Sequence, residues 1–152
     1  MLQEILINNK INVNLKLISE KDHKFLYELL KEREPSINIS HKKMPTFNQH
    51  VNFVLSKPYS KWYIILQGID KVGSIYLSKQ NEIGIFLKKG SHHTGIGTMA
   101  LKLVIKKNPK KGYLANVNPK NKKSIEFFKK NNFKILQYTY ELNSEELKER
   151  IK

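Results

Sequence analysis

The sequence predicts an α/β (α+β) domain with a mixed, partly parallel central sheet flanked by helices. Segments of strand-like alternation and segments with helical spacing of apolar residues follow one another in the order β-α-α-β-β-β-α-β-α-β. Both later helices lie between strands, as crossover connections do in a partly parallel sheet. No repeat, linker or low-complexity run divides the 152 residues, so we expect one domain over residues 1–152.

The amino-terminal third is predicted to hold one strand and two helices. Residues 11–18 alternate between apolar and polar side chains, which is typical of a strand. Ser19 and Asp22 form a Ser-x-x-Asp capping box before a helix with one apolar face. Thr46 and Gln49 predict the start of a second, shorter helix, and the segment between the two helices is typical of a loop.

The middle of the chain is predicted to supply most of the sheet. Residues 61–67 and 71–78 alternate around a turn that contains glycine, and they predict an antiparallel hairpin. Residues 81–89 predict the next strand, and a helix over about 95–107 follows it.

The carboxyl-terminal part predicts two further strands separated by a helix. Residues 112–117 are typical of a short strand, 121–131 of a helix with one apolar face, and 133–142 of a last strand. Ser144 is a suitable cap for a short polar helix at the end.

The formal net charge of +15 raises the question of a nucleic-acid partner. The 28 basic residues include two arginines, Arg33 and Arg150, so 26 are lysine, the less suited of the two for bidentate recognition of bases. The lysines are spread along the chain, without a basic motif interleaved with aromatic residues. We therefore do not expect nucleic acid as a partner. The charge is interpreted first as general solvation of the surface, and an electrostatic role towards polyanionic ligands is the alternative.

Composition also excludes several kinds of chemistry. The chain has no cysteine, which excludes disulfides, thiolate metal ligands and a cysteine nucleophile. Its five histidines show no paired metal-ligand spacing, so no metal site is expected. No apolar run approaches the length of a membrane span and no signal pattern opens the chain, so we expect a cytoplasmic protein without a membrane partner.

A pair of glycines, Gly95 and Gly97, opens the helix that follows the third strand of the middle segment. Glycine lets the backbone turn sharply and lets a ligand approach the amide nitrogens. The first N–H groups of a helix lack partners within the helix, and together with the helix dipole they favour an anion. The pattern predicts a phosphate-binding turn at this position. Neither the P-loop pattern nor the complete dinucleotide-binding pattern is present.

Two motifs in this region resemble the GNAT superfamily of N-acetyltransferases. EIGIFLKKGSHHTGIGTMALKLVI, residues 82–105, is similar to its acetyl-CoA signature, Arg/Gln-x-x-Gly-x-Gly/Ala between a strand and a long helix. NVNPKNKKSIEFFKKNNF, residues 116–133, is similar to the loop, helix and Asn/Gly-Phe turn that follow. The resemblance implies the GNAT (acyl-CoA N-acyltransferase) fold and acetyl-CoA as cosubstrate. His92 stands where the family usually has Arg or Gln.

The resemblance also implies which residues bind the cofactor. The pyrophosphate is expected at the backbone amides that open the helix. A bulge is expected to separate the strand before it from the next, so that an amide near Phe86 or Leu87 meets the thioester carbonyl. The implied cofactor-binding residues are Phe86, Leu87, His92, His93, Thr94, Gly95, Ile96, Gly97, Thr98, Asn118, Asn121 and Phe128. Asn121 is equally suited to cap a helix.

Catalysis in the family is direct attack of an amine on the thioester, which needs a base for the protonated amine. Glu82 is the candidate base, because the resemblance places it where several members keep a Glu. His50 is an alternative base or a sugar contact. Phe128 stands where the family often has a Tyr acid, so water or Ser124 is left to protonate the departing thiolate.

The acceptor is expected to be a small-molecule amine. The polar region from His41 to Phe53 weakly resembles bacterial enzymes that acetylate amino sugars on nucleotide carriers, and the positive charge suits a sugar nucleotide. A protein or peptide N-acetyltransferase and a non-enzymatic RNA-binding protein remain as alternatives, and a homodimer is kept open as the assembly.

Overall fold

The computed structural model describes residues 12–33 and 43–151 and confirms the α/β fold. A four-stranded sheet in the order β1-β2-β3-β4 forms its centre, and all three neighbouring pairs are antiparallel. The first predicted residue of β1, Ile11, and the predicted acceptor residue His41 lie outside the described residues. The strands are β1 (Val13–Leu17), β2 (Lys61–Gln67), β3 (Asp70–Leu77) and β4 (Ile83–Leu87).

Both capping patterns start helices as predicted. Ser19 donates its backbone N–H to the Asp22 carboxylate at 2.8 Å at the start of a short 3-10 helix, Glu20–Asp22. The Thr46 hydroxyl and the Gln49 side chain bond reciprocally to each other's backbone N–H. The α-helices are α1 (His23–Lys31), α2 (Phe47–Leu55), α3 (Ile96–Lys107), α4 (Lys122–Lys130) and α5 (Ser144–Ile151).

Helices cover both faces of the sheet. On one face, Ile65 and Ile75 of the sheet pack with Val104 of α3, and all three are at most 1% exposed. On the other face, Leu26 of α1 and Val54 of α2 pack over the buried strand residue Ile64, with Trp62 beside it. Each fully buried side chain of this size contributes roughly 1.5–3 kcal/mol. The second layer, α1 and α2, forms the roof of the candidate acceptor site described below.

The predictions of two strands, over residues 112–117 and 133–142, are wrong. Of residues 112–117, Leu114 alone joins the sheet, through a parallel bridge to Glu82. Residues 133–143 form no strand, and Ile135, Tyr138 and Tyr140 in this segment are exposed. Within the described residues the parallel part of the sheet is therefore this bridge. An alternating pattern gives a strand only where a neighbouring edge supplies hydrogen bonds along its length.

Asp22 is a buried carboxylate that connects β1, the 3-10 helix and β3. It is fully buried and forms an ion pair with the Lys71 ammonium, 2.7 Å from its Oδ1. The Lys16 ammonium lies 3.4 Å from its Oδ2. Burial by itself raises the pKa of Asp22, but the hydrogen bonds from Lys71 and Ser19 and the positive charges of Lys71 and Lys16 outweigh it. The net pKa of Asp22 is lowered, so the carboxylate is ionised at neutral pH.

Candidate active site

The predicted phosphate-binding turn has the backbone that a helix-start anion site needs. Gly95 is the N-cap of α3 with φ of 81°, a left-handed conformation that glycine adopts without strain. No side chain caps this end, and no acidic residue lies in the first turn. The amides of residues 95–98 therefore have no partner within the helix and are suited to phosphate oxygens.

Gly97 and Thr98 face the neighbouring helix α4. A Cβ at Gly97 would lie 3.0 Å from the Phe127 ring, so a larger residue here would have to displace this ring slightly. The Thr98 hydroxyl accepts a 3.3 Å hydrogen bond from the Asn131 amide. His92 and His93 are exposed in the loop before the helix, and His93 has a positive φ of 60°. Both histidines thus lie at the turn, while the Thr98 hydroxyl is engaged with the C-cap of α4.

The outer edge of β4 offers backbone groups to a ligand. The Ile83 N–H donates outward to the Leu114 carbonyl at 2.7 Å, whereas the Lys88 N–H donates inward to Val72 of β3. Because backbone direction alternates along a strand, the Leu87 N–H points outward and the Phe86 N–H points toward β3, opposite Ser74. Of the two predicted donors, Leu87 is the one with the required direction.

A gap beside β4 opens without a bulge in that strand. The register between β3 and β4 is regular from Gly73–Leu87 to Leu77–Ile83, and the register shift lies instead between β2 and β3, at Ile65 and Leu66. The neighbouring segment touches β4 at Leu114 and forms no further ladder with it among the described residues. The free edge that follows can pair with an extended amide-bearing chain such as the pantetheine arm of coenzyme A.

Glu82 lies at the point where this gap begins. Its Oε2 accepts a 2.8 Å hydrogen bond from the Asn116 side chain, and its backbone N–H donates to the Ser78 hydroxyl at 3.0 Å. The side chain is half-buried and, by strand alternation, lies on the same face of β4 as Gly84 and Phe86. That face is the one that α1 and α2 cover.

An aromatic cleft lies between this face and the two helices, and we name it the acceptor cleft. It is narrow, with an enclosed volume of about 40 Å³. Tyr59 and Tyr76 stack with ring centroids 3.7 Å apart, and the Arg33 guanidinium lies over the Phe86 ring at 3.8 Å. The cleft is lined by Leu26, Leu29, Leu30, Arg33, His50, Phe53, Tyr59, Trp62, Ser74, Tyr76 and Phe86.

Burial changes the protonation of three groups in the acceptor cleft. Burial is the main cause of the raised pKa values of Tyr59 and Tyr76, so both hydroxyls are protonated at neutral pH. Burial lowers the pKa of Arg33 to about 10, although the nearby tyrosines act in the opposite direction. The guanidinium therefore still carries its charge at neutral pH. The negative charge of Glu82 adds to the raised pKa of Tyr76.

The other residues predicted for the site lie in two regions, the roof of the acceptor cleft and the helix α4. His50 is 4% exposed and lies between Tyr27 and Phe53 at the roof of the cleft. Asn121 caps α4, and its side-chain oxygen accepts the Ser124 N–H at 3.2 Å. Phe128 packs against Phe127 and Phe133 with centroids 5.1 and 5.0 Å away.

Asn118 lies in the loop before the N-cap of α4, and its side-chain oxygen accepts the Lys120 N–H at 2.9 Å.

Sequence reasoning did not assign Arg33 or Tyr76 to the acceptor cleft. It predicted Phe86 for its backbone amide and missed that its ring lines the cleft. Arg33 follows the last turn of α1 and gave no motif, because its position depends on the packing of that helix over β4. Tyr76 and Ser74 share the face of β3 opposite Gly84 and Phe86, and the strand alternation could have revealed this.

Comparisons with known proteins give the family and the fold of this chain. Residues 23–133 match the family model described as the acetyltransferase (GNAT) family. No curated protein sequence matches the chain. A domain from Methanocaldococcus jannaschii DSM 2661 is similar in structure, with 24% identity and a TM-score of 0.73 over 86% of this chain and 94% of that one.

Two further solved structures carry acetyltransferase names. An N-acetyltransferase from Staphylococcus aureus Mu50 has 19% identity and a TM-score of 0.64, over 81% of this chain and 84% of that one. The ribosomal L7/L12 alpha-N-protein acetyltransferase RimL, in complex with coenzyme A, has 16% identity and a TM-score of 0.65, over 80% and 79%. At these identities the likeness shows the shared fold.

The chain belongs to the acetyltransferase (GNAT) family, since the family model spans most of its length. It is an acetyl-CoA-dependent N-acetyltransferase. No group of residues that could hold a metal ion occurs in the described part of the chain. No helix among residues 12–33 and 43–151 is long and apolar enough to cross a membrane.

Proposed function

We propose that this enzyme acetylates a primary amine of a small polar molecule bound in the acceptor cleft, with a nucleotide-linked amino sugar as the preferred acceptor and Glu82 as the base. The observation that carries the proposal is the position of Glu82, between the open edge of β4 and the acceptor cleft. The cleft is lined by aromatic, hydroxyl and cationic side chains suited to a polar ligand, and the net charge of +15 favours an anionic carrier.

The cofactor half of the proposal assigns coenzyme A to backbone groups. Acetyl-CoA supplies an acetyl group activated as a thioester. The outward Leu87 N–H is suited to donate to the thioester carbonyl oxygen, and the amides of residues 93–98 to the pyrophosphate. Asn118, Asn121 and Phe128 belong to the second half of the family signature and are assigned to the same ligand.

Glu82 is proposed to remove a proton from the acceptor ammonium. An amine with a pKa near that of lysine, about 10, is mostly protonated at neutral pH and cannot attack in that form. The Asn116 amide holds one carboxylate oxygen at 2.8 Å and leaves the other for the amine or for a water molecule between them. The base therefore acts from a fixed orientation, which general-base catalysis requires.

His50 and Ser124 are proposed in secondary roles. His50 lies at the roof of the acceptor cleft and is suited to contact the acceptor, with the role of base as its alternative. Ser124 lies in the first turn of α4, and it or water is assigned to protonate the leaving thiolate. A thiolate of pKa about 8.5 is a tolerable leaving group, so a strong acid is not required.

A protein or peptide N-acetyltransferase is the second candidate. It is supported by the structural likeness to RimL, whose name gives ribosomal L7/L12 as its substrate. The positive surface of this chain disfavours basic peptides, and the acceptor cleft is small for a polypeptide.

A panel of acceptors tests the proposal. UDP-linked amino sugars, free amino sugars, polyamines and short peptides are offered at saturating acetyl-CoA, and the released CoA is measured with a thiol reagent. We expect the highest kcat/KM for a nucleotide-linked amino sugar. A preference for peptides or polyamines over every nucleotide-linked amino sugar would refute the acceptor assignment.

A further inference from the structure

We propose that Arg33 binds an anionic group of the acceptor, so that the substrate is an amine that carries a phosphate or carboxylate remote from the amino group. The inference rests on the proposed function in one respect, namely that the acceptor cleft holds the acceptor. It adds a specificity-determining residue and a substrate class that neither the family signature nor the sequence motifs contain.

No carboxylate among the described residues pairs with Arg33. Its guanidinium lies 3.8 Å from the centroid of the Phe86 ring, inside the acceptor cleft. Among the described residues it makes no ion pair and no hydrogen bond. Burial lowers the pKa of Arg33 to about 10, although Tyr76 and Tyr59 act in the opposite direction. A half-buried guanidinium without an anionic partner is stabilised by a ligand of opposite charge.

Trp62 provides a second, independent observation. It lines the same cleft, is 9% exposed, and its indole Nε1 has no hydrogen-bond partner among the described residues. An indole N–H can only donate, so its missing partner must be an acceptor atom. A guanidinium and an indole N–H in one cleft match the oxygens of a phosphate or carboxylate, which accept several hydrogen bonds at once.

The spacing along β4 limits which amines fit. Glu82 and Phe86 lie on one face of the strand, four residues apart, so their Cα atoms are separated by roughly 13 Å. Gly84 and the Tyr76 ring lie between them. A substrate that places its amine at Glu82 and its anion at Arg33 must therefore separate the two groups by several bonds. An α-amino acid, whose amine and carboxylate share one carbon, is too short, and so is a sugar with its phosphate on the carbon next to the amine. A nucleotide-linked amino sugar, through its distal phosphate, or a long ω-amino acid is suitable.

Matched probes test the charge requirement and separate its two sources. The phosphate pair is UDP-glucosamine against neutral glucosamine. The carboxylate pair is 6-aminohexanoate against hexylamine. KM and kcat are measured for the wild type, Arg33→Met and Arg33→Lys. Lys31→Met is the control, since Lys31 is an exposed cation on the last turn of α1, paired with Glu28.

The expected result is selective. Arg33→Met should raise the KM of the anionic probes at least about tenfold, as loss of a charge-assisted hydrogen bond does, and leave the neutral probes and the KM of acetyl-CoA unchanged. Arg33→Lys should lie between the wild type and Arg33→Met. Lys31→Met should behave as the wild type. The pair that shows the larger effect identifies the anion as phosphate or carboxylate.

A binding measurement separates this inference from the proposed function. Trp62 is the only tryptophan of the chain, so its fluorescence reports occupation of the acceptor cleft without turnover. Quenching by UDP-glucosamine that Arg33→Met abolishes supports the Arg33 site even if no amine is acetylated. Equal KM values for anionic probes in Arg33→Met and wild type overturn the Arg33 site and leave the proposed function in place. If circular dichroism shows that Arg33→Met does not fold, Arg33→Lys is compared with the wild type instead. An unchanged KM for every anionic probe in Arg33→Lys then overturns the Arg33 site.

Discussion

The Tyr76 ring occupies the space above Gly84 where any other residue would carry its Cβ. The two residues are opposite each other in the β3–β4 pair. The Tyr76 ring stacks on Tyr59, and along β4 its partner Gly84 lies between Glu82 and Phe86. Glycine at position 84 therefore shapes the floor of the acceptor cleft.

Gly84→Ala should impair acceptor binding more than cofactor binding. The new methyl group meets the Tyr76 ring at a distance that real Cβ atoms do not tolerate, so the ring must move. We expect the acceptor KM to rise about tenfold or more, because the cleft loses its shape, while the affinity for CoA changes little. Steady-state kinetics with the best amine and calorimetric titration of CoA measure the two effects.

Gly112→Ala is the matched control for this prediction. A Cβ at Gly112 would meet no atom within 4 Å, so activity should be unchanged. Wild-type acceptor KM in Gly84→Ala would mean that the stack does not form part of the binding surface.

Glu82→Gln should reduce kcat by roughly 10²-fold, a usual loss for a general base. Glutamine retains the shape and can still bond to Asn116, so CoA affinity should remain. The loss should be largest at low pH, where less of the amine is unprotonated without help from a base. A pH–rate profile of both enzymes checks this. A variant with wild-type rates across the pH range would transfer the base role to His50 or solvent.

Local signals in the sequence predicted most of the fold. The two capping boxes and the hairpin turn were predictable because each depends on a few neighbouring residues, such as Thr46 with Gln49. The strands over 112–117 and 133–142 failed, because alternation does not say whether a neighbouring edge is available. At 112–117 pairing stops after Leu114, and this departure is what leaves the edge of β4 open.

The site was predictable where it depends on backbone conformation. Gly95 and Gly97 indicated a helix start that a ligand can approach closely. In the structure, Gly95 is the left-handed N-cap of α3, and Gly97 packs against the Phe127 ring. The acceptor cleft was harder to predict from the sequence, because Arg33 and Phe86 are far apart in the chain and meet only when α1 packs on the sheet. Sequence spacing does not encode such a contact.

Gly95→Ala should weaken CoA binding by distorting the start of α3. A left-handed conformation costs an alanine about 1–2 kcal/mol, and relief of that strain moves the amides of the first turn. Isothermal titration with CoA should show the loss. Gly68→Ala introduces the same kind of strain, at φ of 61° in the β2–β3 turn, with no neighbour within 4 Å. It should lower Tm without changing CoA affinity, and equal CoA affinities in both variants would contradict the proposed phosphate-binding turn.

Asp22→Asn should destabilise the fold at neutral pH by about 1–3 kcal/mol, the range for hydrogen bonds to charged groups. The folded pKa of Asp22 is lowered below its usual 3.8, so its ionised form stabilises the fold above that pH. This contribution disappears as the pH falls through the folded pKa. The difference in unfolding free energy between wild type and variant should therefore be constant from pH 7 to 5 and shrink below about pH 4.

Urea unfolding at pH 7, 5 and 3 measures this difference. Asp70→Asn is the control, because Asp70 is exposed at the start of β3, next to Lys71, and its removal should change stability little at any of these pH values. Lys71→Met should reproduce most of the Asp22→Asn effect at pH 7, since the 2.7 Å ion pair is the shortest that Asp22 makes. A difference between wild type and Asp22→Asn that persists unchanged to pH 3 and below would show that the shape of the side chain, rather than its charge, holds β1 and β3 together.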